Sequence, residues 1–337
     1  MTMLDIRRYR PFPIQDRSYQ VASIRKIRQN HLDKIDPATG LIKSEWMESC
    51  CCAFCSETRS TEHAVRWGVR FVRCAHCGLI YQNPRPRPGV VLIEGGTLTV
   101  DGLYKEETRE KRASGFMVDR WKWVRETVNK PKARLLDVGC HYGTFSRQAI
   151  DAGWEVVGLE PEPQSAEIAR KAGLTVMEAM LEEADLPEQS FDAACVWDVY
   201  WAPTDLKLFQ ARLHRALKPG SSVFLSDPNQ ESFESRYLGG LSGFPAHSTC
   251  IHNNGASVLR RVFEETGFEV IEHWTAGNDL IHLREWIEAF GEETLAGHED
   301  PAVMAGLRHA IANMDMVQPI IDAAGLGAYQ KMLAKRI

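Results

Sequence analysis

The chain has 337 residues, 44% of them hydrophobic and 25% charged, with a formal net charge of −5. That length and balance suit a soluble globular protein of one large or two modest domains, and the acidic excess counts against a nucleic-acid partner gripped by phosphate neutralisation. The sequence has no apolar run of about 18 residues and its leader has no apolar signal core, so no membrane partner and a cytoplasmic location are expected.

Residues 1–48 read as an Arg-rich leader that closes on a turn, "DPATG", at 36–40. Six of the nine cysteines follow, between Cys50 and Cys77, a clustering that fits a metal centre better than a disulfide scaffold. Two C-x-x-C knuckles, "CAFC" (Cys52, Cys55) and "CAHC" (Cys74, Cys77), are separated by 18 residues and supply the four thiolates that tetrahedral zinc prefers. A four-cysteine site has no open coordination position, so its expected role is structural, in a zinc ribbon over residues 49–83. An iron–sulfur or redox centre is the other reading of the same knuckles. Cys50 and Cys51 are spare, with Cys51 a less regularly spaced substitute for Cys52. The Pro/Gly-rich stretch that opens "NPRPRPGVV" begins a linker over 84–107.

From residue 108 helical and strand patterns alternate, which predicts an α/β sheet with parallel strands and helices on both faces. A charged and apolar mixture over 106–128 reads as a helix. Strands are predicted at 135–138, 155–159, 175–177, 191–197, 222–226 and 269–274. Between them, helices are predicted at 144–152, 163–172, within 202–220, and at 256–266, punctuated by Gly153, Gly173, Gly220 and Gly267. A long loop spans 227–255. The tail over 276–326 reads as helical, and 329–335 as a final strand, with a helix as the other reading.

Between the first of these strands and its helix lies "DVGCHYG", 137–143. Glycine there lets backbone approach a ligand closely, and a helix N-terminus offers unpaired N–H groups. Glu160, 23 residues after Asp137 and at the end of the next strand, suits two adjacent ribose hydroxyls. The pattern predicts an adenosine-containing cofactor and leaves a nicotinamide dinucleotide and S-adenosylmethionine both open.

The downstream segments "LLDVGCHYG", "VVGLEP", "LPEQSFDAACVWDV", "LHRALKPGSSVFLSDPN" and "VLRRVFEETGFEVIE", in this order, resemble the class I S-adenosylmethionine-dependent methyltransferases over about 110–275. The cysteine segment with its linker also resembles a bacterial subgroup that carries an N-terminal zinc ribbon and is linked to sugar or natural-product modification. The resemblance implies a Rossmann-like methyltransferase domain over 108–337 with a helical C-terminal extension. It further implies S-adenosylmethionine as cofactor and methyl transfer to O or N of a small-molecule acceptor. In that reading Asp137, Gly139 and Gly143 line the methionine portion and Glu160 binds the ribose. Pro161, Ala179 and Met180 flank the adenine, while Trp197 and Asp198 close the site.

Two departures stand out. His141 occupies the place of a middle glycine; it is read as a tolerated loop residue with negative φ whose ring touches the cofactor carboxylate or a water. The segment "WDVYWAPTD" puts Tyr200 and Trp201 where relatives carry an acid–histidine pair. Catalytic candidates are therefore His247, as a base or acceptor contact, with Asp198 and Tyr200 beside it; Asp227, Tyr237 and His252 lie nearby on the same loops. The helical tail is read either as a cap over the site or as a homodimer contact. An RNA methyltransferase gripping RNA through the ribbon, a non-catalytic cofactor binder and a nicotinamide oxidoreductase are the competing functions.

Overall fold

A computed structural model describes residues 33–88, 90, 115–241 and 250–337. The expected leader up to residue 32, most of the linker, and His247 lie outside the described residues.

The cysteine region is a small antiparallel unit. Strand β1 (Met47–Glu48) precedes the first knuckle and pairs with β5 (Arg85–Pro86), so strand pairing runs slightly past the expected ribbon boundary. Between them, β2 (Ser60–Arg66), β3 (Val69–Cys74) and β4 (Ile80–Gln82) form a meander. The two residues at the tip of the first hairpin, Trp67 and Gly68, both have positive φ (50° and 80°), as the right-handed twist of a tight hairpin demands.

Helix α1 (Phe116–Val128) ends on Asn129 in the left-handed region and leads into β6 (Arg134–Val138). Next come α2 (Thr144–Asp151), β7 (Glu155–Leu159), α3 (Pro163–Lys171) and β8 (Thr175–Met177). Helix α3 starts where sequence punctuation places it: Pro163 opens the first turn and the Glu162 carboxylate accepts from the N–H groups of Gln164 and Ser165. The chain continues through β9 (Phe191–Trp197), α4 (Leu206–Ala216), β10 (Leu217–Pro228), the short α5 (Phe233–Tyr237), β11 (His252–Asn253), α6 (Ala256–Glu265) and β12 (Phe268–Ala276). Helices α7 (Asp279–Phe290), α8 (Pro301–Ala312) and α9 (Met314–Ala323) make the helical tail, and β13 (Tyr329–Arg336) is a strand.

Seven strands form the main sheet in the order β12-β13-β10-β9-β6-β7-β8. Strands β6 to β10 run parallel, and β13 inserts antiparallel between β10 and β12. Strand β9 sits at the centre and six of its seven residues are buried, the signature of a strand covered on both faces. Alternate residues feed two cores: Leu135, Cys195 and Phe224 pack with α1 and α2, while Leu136, Val196 and Leu225 pack with α4 and α6. The second core is continuous with Phe54, Val72, Leu79 and Tyr81 of the cysteine region. That region is therefore packed into the sheet's own core rather than hung from it. Among the described residues no helix is long and apolar enough to cross a membrane.

The expected long loop after β10 has internal order. It carries α5, and its end, β11, leaves the main sheet to pair with β4 as the edge of the small sheet.

Candidate functional site

Strand β6 has β7 on one side and β9 on the other, so the chain order reverses there. Open α/β sheets bind ligands outside the carboxyl ends of their strands at such a switch point. The turn 139–143 lies at that end. Gly139 has φ 72°, and a Cβ there would stand 2.4 Å from Val199 Cγ1; Gly143 has φ 74°, with a Cβ position 3.2 Å from Leu174 Cδ2. Both glycines are required by conformation and by neighbours. Helix α2 starts at Gly143 without a side-chain cap.

His141 does not have the negative φ expected for it. Its φ is 50°, so the imidazole stands on a left-handed backbone. A Cβ in that region costs about 1 kcal/mol. The turn tolerates it because the His141 N–H donates to Glu160 Oε2 at 2.9 Å, fixing the residue between its glycines, and its ring rests on Tyr142 with centroids 3.8 Å apart. Replacing His141 with glycine is expected to leave cofactor affinity within threefold and the melting temperature equal or higher, because a glycine carries no Cβ penalty there. Titration calorimetry and a thermal melt check both; a tenfold loss of affinity would instead make the ring a cofactor contact.

Glu160, at the end of β7, is 7% exposed. Its Oε1 accepts the Glu162 N–H at 2.9 Å as its Oε2 accepts that of His141. Burial raises its pKa against those two backbone donors. Asp137 is 1% exposed and accepts from Ser146 Oγ at 2.5 Å. Burial pushes its carboxyl up to about 6, against the pull of Ser146 and Arg120. Ala179 and Met180 are half-buried just beyond β8, and Pro161 is exposed just beyond β7.

At the end of β9 the structure brings in a residue that the sequence did not flag. Arg120 of α1 reaches over the sheet; its guanidinium lies 4.7 Å from the Trp197 ring centre, and Nη2 donates to Asp198 Oδ2 at 2.7 Å and to Ser226 Oγ at 3.2 Å. Ser226 Oγ in turn donates to Asp198 Oδ1 at 3.0 Å. Asp198 is held at φ 59°, and the Trp201 indole N–H donates to its carbonyl at 2.7 Å. Trp197 Nε1 is buried with no hydrogen-bond partner among the described residues. The tryptophans beside Arg120 are packing residues: Trp121 stands edge-on to Trp154, and Trp123 to Phe224 and Trp274, each at 4.9 Å.

Tyr200 is placed differently from its expected role beside the acceptor. It has no exposed surface; its hydroxyl accepts from Gln210 Nε2 at 2.7 Å, and its ring packs on Phe209 and Phe263. The two-residue step from Asp198 turns it into the core. Asp227 is also buried, and burial together with the Asp198 charge drives its pKa well above the carboxylate range. His252 is buried and pulled down to about 3, hence a neutral imidazole whose Nδ1 accepts from Asn254 Nδ2 at 3.1 Å. Tyr237 packs on Phe233 in α5.

The sulfurs of Cys52, Cys55, Cys74 and Cys77 lie within 4.8 Å of one another. Cys52 and Cys77 approach to 3.4 Å, and Cys55 and Cys74 to 3.5 Å. The contact between Cys52 and Cys77 lowers the pKa of Cys52 and raises that of Cys77. Cys51 is exposed and outside the group, and Cys50 donates to the Gln82 carbonyl at 3.3 Å.

A glycine turn and an acid on adjacent parallel strands, at the switch point of a mainly parallel sheet, define a Rossmann-like cofactor-binding domain. Residues 108–273 match the methyltransferase-domain family, and this segment is a domain of the class I S-adenosylmethionine-dependent methyltransferase kind. It is 36% identical over 110 residues to a 2-methyl-6-phytyl-1,4-hydroquinone methyltransferase of Synechocystis, across 30% of this chain and 33% of that one. With a ubiquinone biosynthesis O-methyltransferase of Pseudomonas fluorescens it shares 30% identity over 121 residues, 33% of this chain and 51% of that one. The chain thus spans a third to a half of the length of these two curated relatives. A geranyl diphosphate C-methyltransferase from Streptomyces coelicolor superposes with a TM-score of 0.48 at 14% identity, over 69% of this chain and 86% of that one.

Proposed function

We propose that this chain transfers the methyl group of S-adenosylmethionine to an oxygen or nitrogen of a small molecule, and that its four clustered cysteines hold a structural zinc. The observation that carries the cofactor reading is Glu160, a buried carboxylate at the end of β7 tied to the glycine turn through the His141 N–H. Two further features fit the same ligand: the uncapped start of α2 at Gly143 and the unpartnered indole N–H of Trp197. Four thiols within 4.8 Å are the donor set for closed tetrahedral zinc. The names of the hydroquinone and ubiquinone relatives support a small-molecule acceptor.

Asp137, Gly139, His141 and Gly143 surround the methionine portion in this reading, and Glu160 takes the ribose hydroxyls. Pro161, Ala179 and Met180 border the adenine. Trp197 and Asp198 close the crevice, held there by Arg120. When bound, S-adenosylmethionine supplies a methyl carbon already activated by its sulfonium. The protein's part is then to align the acceptor in line with that carbon and to exclude water. His247 serves as base or acceptor contact, and a base adds about 10²–10⁴-fold only if the acceptor is a weak acid such as an alcohol. Replacing His247 with glutamine is expected to lower turnover by at least about tenfold while cofactor affinity stays unchanged. Equal turnover in a steady-state assay removes His247 from the mechanism.

Asp137 supplies a pH test. Its carboxyl protonates near 6, and the neutral form loses its attraction for the cofactor's ammonium. S-adenosylhomocysteine affinity is expected to hold above pH 7 and to fall as pH drops through 6. Calorimetry across pH 5–8, with NAD as the competing ligand, tests the whole reading: binding of NAD in place of S-adenosylhomocysteine overturns it.

A further inference from the structure

Both cysteine knuckles are bonded to the methyltransferase sheet's own elements. The Leu206 N–H at the start of α4 donates to the carbonyl of Ala53, inside the first knuckle, at 2.9 Å. Arg261 of α6 donates through Nη2 to the carbonyl of Cys77 in the second. From that knuckle the chain runs directly into β4, and β4 carries β11 as its neighbour, with Tyr81 opposite His252 and Ile80 opposite Asn253. Gln82 extends the pairing with both its backbone and its side chain: its N–H donates to the Ile251 carbonyl and its Nε2 to the Cys250 carbonyl, each at 2.8 Å.

Strand β11 then passes the connection to the cofactor-facing end of the main sheet. The His252 N–H donates to the Trp201 carbonyl at 3.2 Å, and the Trp201 indole holds the Asp198 carbonyl. The Asn254 carbonyl accepts from the Gln230 N–H at 3.1 Å and from Gln330 Nε2 at 2.8 Å, fixing the segment just past β10. Gln82, His252 and Asn254 have no exposed surface, so these bonds are made without competition from water. Near the same seam a cavity of about 280 Å³ is walled by His63, Arg73 and Ile80 from the cysteine region and by Gln230, Ser235 and Arg236 from beyond β10. The bonds of the glycine turn are of another kind: Gly139 and Cys140 donate to the Leu159 carbonyl, wholly within the main sheet.

We infer that the four-cysteine centre is a positioning device for the acceptor side of the crevice, acting through Gln82 and β11, and that the cofactor side is independent of it. The inference rests on the zinc and cofactor readings above. A unit this small has little core of its own; Leu79 and Tyr81 enter the sheet's core along the chain that leaves the second knuckle, so the knuckle sets where β4 presents its edge, and a two-residue strand does not stand without a partner. Metal loss therefore frees β11 and the start of the segment after β10, while the Asp198–Trp201 turn, held by Arg120 and packed through Val199 on Gly139, and the β6–β7 end of the sheet keep their order.

The test uses the full-length protein, untreated and stripped of metal by a chelator, with S-adenosylhomocysteine as the only ligand. In the stripped protein the amides of Gln230 and His252 are expected to exchange with deuterium at least about tenfold faster. Exchange at Gly139 and Cys140, and the affinity for S-adenosylhomocysteine, should move less than twofold. Unchanged exchange at Gln230 and His252 overturns the inference, as does a tenfold loss of S-adenosylhomocysteine affinity. Gln82→Leu covers the case in which stripping unfolds the chain: it should keep one zinc by elemental analysis and show the same local loss of protection at His252, and full protection there overturns the inference. Untreated protein without zinc sinks the metal reading and this inference together, whereas untreated protein with zinc but no S-adenosylhomocysteine binding sinks the cofactor reading alone.

Discussion

Alanine at position 160 is expected to weaken S-adenosylhomocysteine binding by more than about 100-fold, read by titration calorimetry. The Glu160 carboxylate already accepts one backbone N–H on each oxygen, from His141 and Glu162. An ionised carboxylate has about four acceptor positions, so two are left to face ribose hydroxyls. Hydrogen bonds to a charged group contribute about 1.5–3 kcal/mol each, and two of them make about 3 kcal/mol, or more than 100-fold in Kd. The substitution also releases the His141 N–H, so the glycine turn loses its tie to β7. Glu160→Gln separates these effects: it can still accept from one backbone donor and fill the space, and should fall between wild type and Glu160→Ala. Near wild-type affinity in a folded Glu160→Ala protein would show that this carboxylate does not meet the cofactor.

The second large effect is expected at Arg120. Its guanidinium is 8% exposed and serves Asp198, Ser226 and the face of Trp197 together. Breaking a buried ion pair typically costs 3–5 kcal/mol, but the Asp198 side chain is 36% exposed and solvent screens part of the loss. About 2 kcal/mol remains after that discount, a melting-temperature drop of roughly 4–8 °C for Arg120→Met. The origin of the cost is the carboxylate left on a left-handed backbone with the Ser226 hydroxyl and the Lys331 charge to answer it. Arg120→Met with Asp198→Asn should therefore recover part of the loss, a coupling that a double-mutant cycle measures. Additive melting temperatures for the two single variants would mean that the pair is not coupled.

Reading the sheet from the sequence worked where the determinants are local. Strands β6 to β9 announce themselves as short apolar runs between glycines and caps, and Glu162 and Pro163 set the start of α3 within one turn of chain. The knuckles are equally plain, since two residues between paired thiols is a spacing that ligand geometry imposes. His141 shows where such reading stops. Which side of φ a residue occupies in a turn depends on what its N–H finds, and the partner, Glu160, is 19 residues away. Tyr200 stops it for a different reason: whether a side chain two residues past a strand enters a crevice or a core depends on the helix packed behind it, here through Gln210 of α4.

By itself the sequence determined the order of the elements, the glycine turn with its acid, and the four clustered thiols, because each depends on neighbours within a few residues or on fixed ligand spacing. Only the tertiary structure decided that Arg120 meets Asp198 across 78 residues of chain, and that β11 leaves its loop to complete the small sheet. Those pairings are set by how two cores close against one another. No local pattern carries that information, since the stabilisation of each contact exists only once the intervening strands are in place.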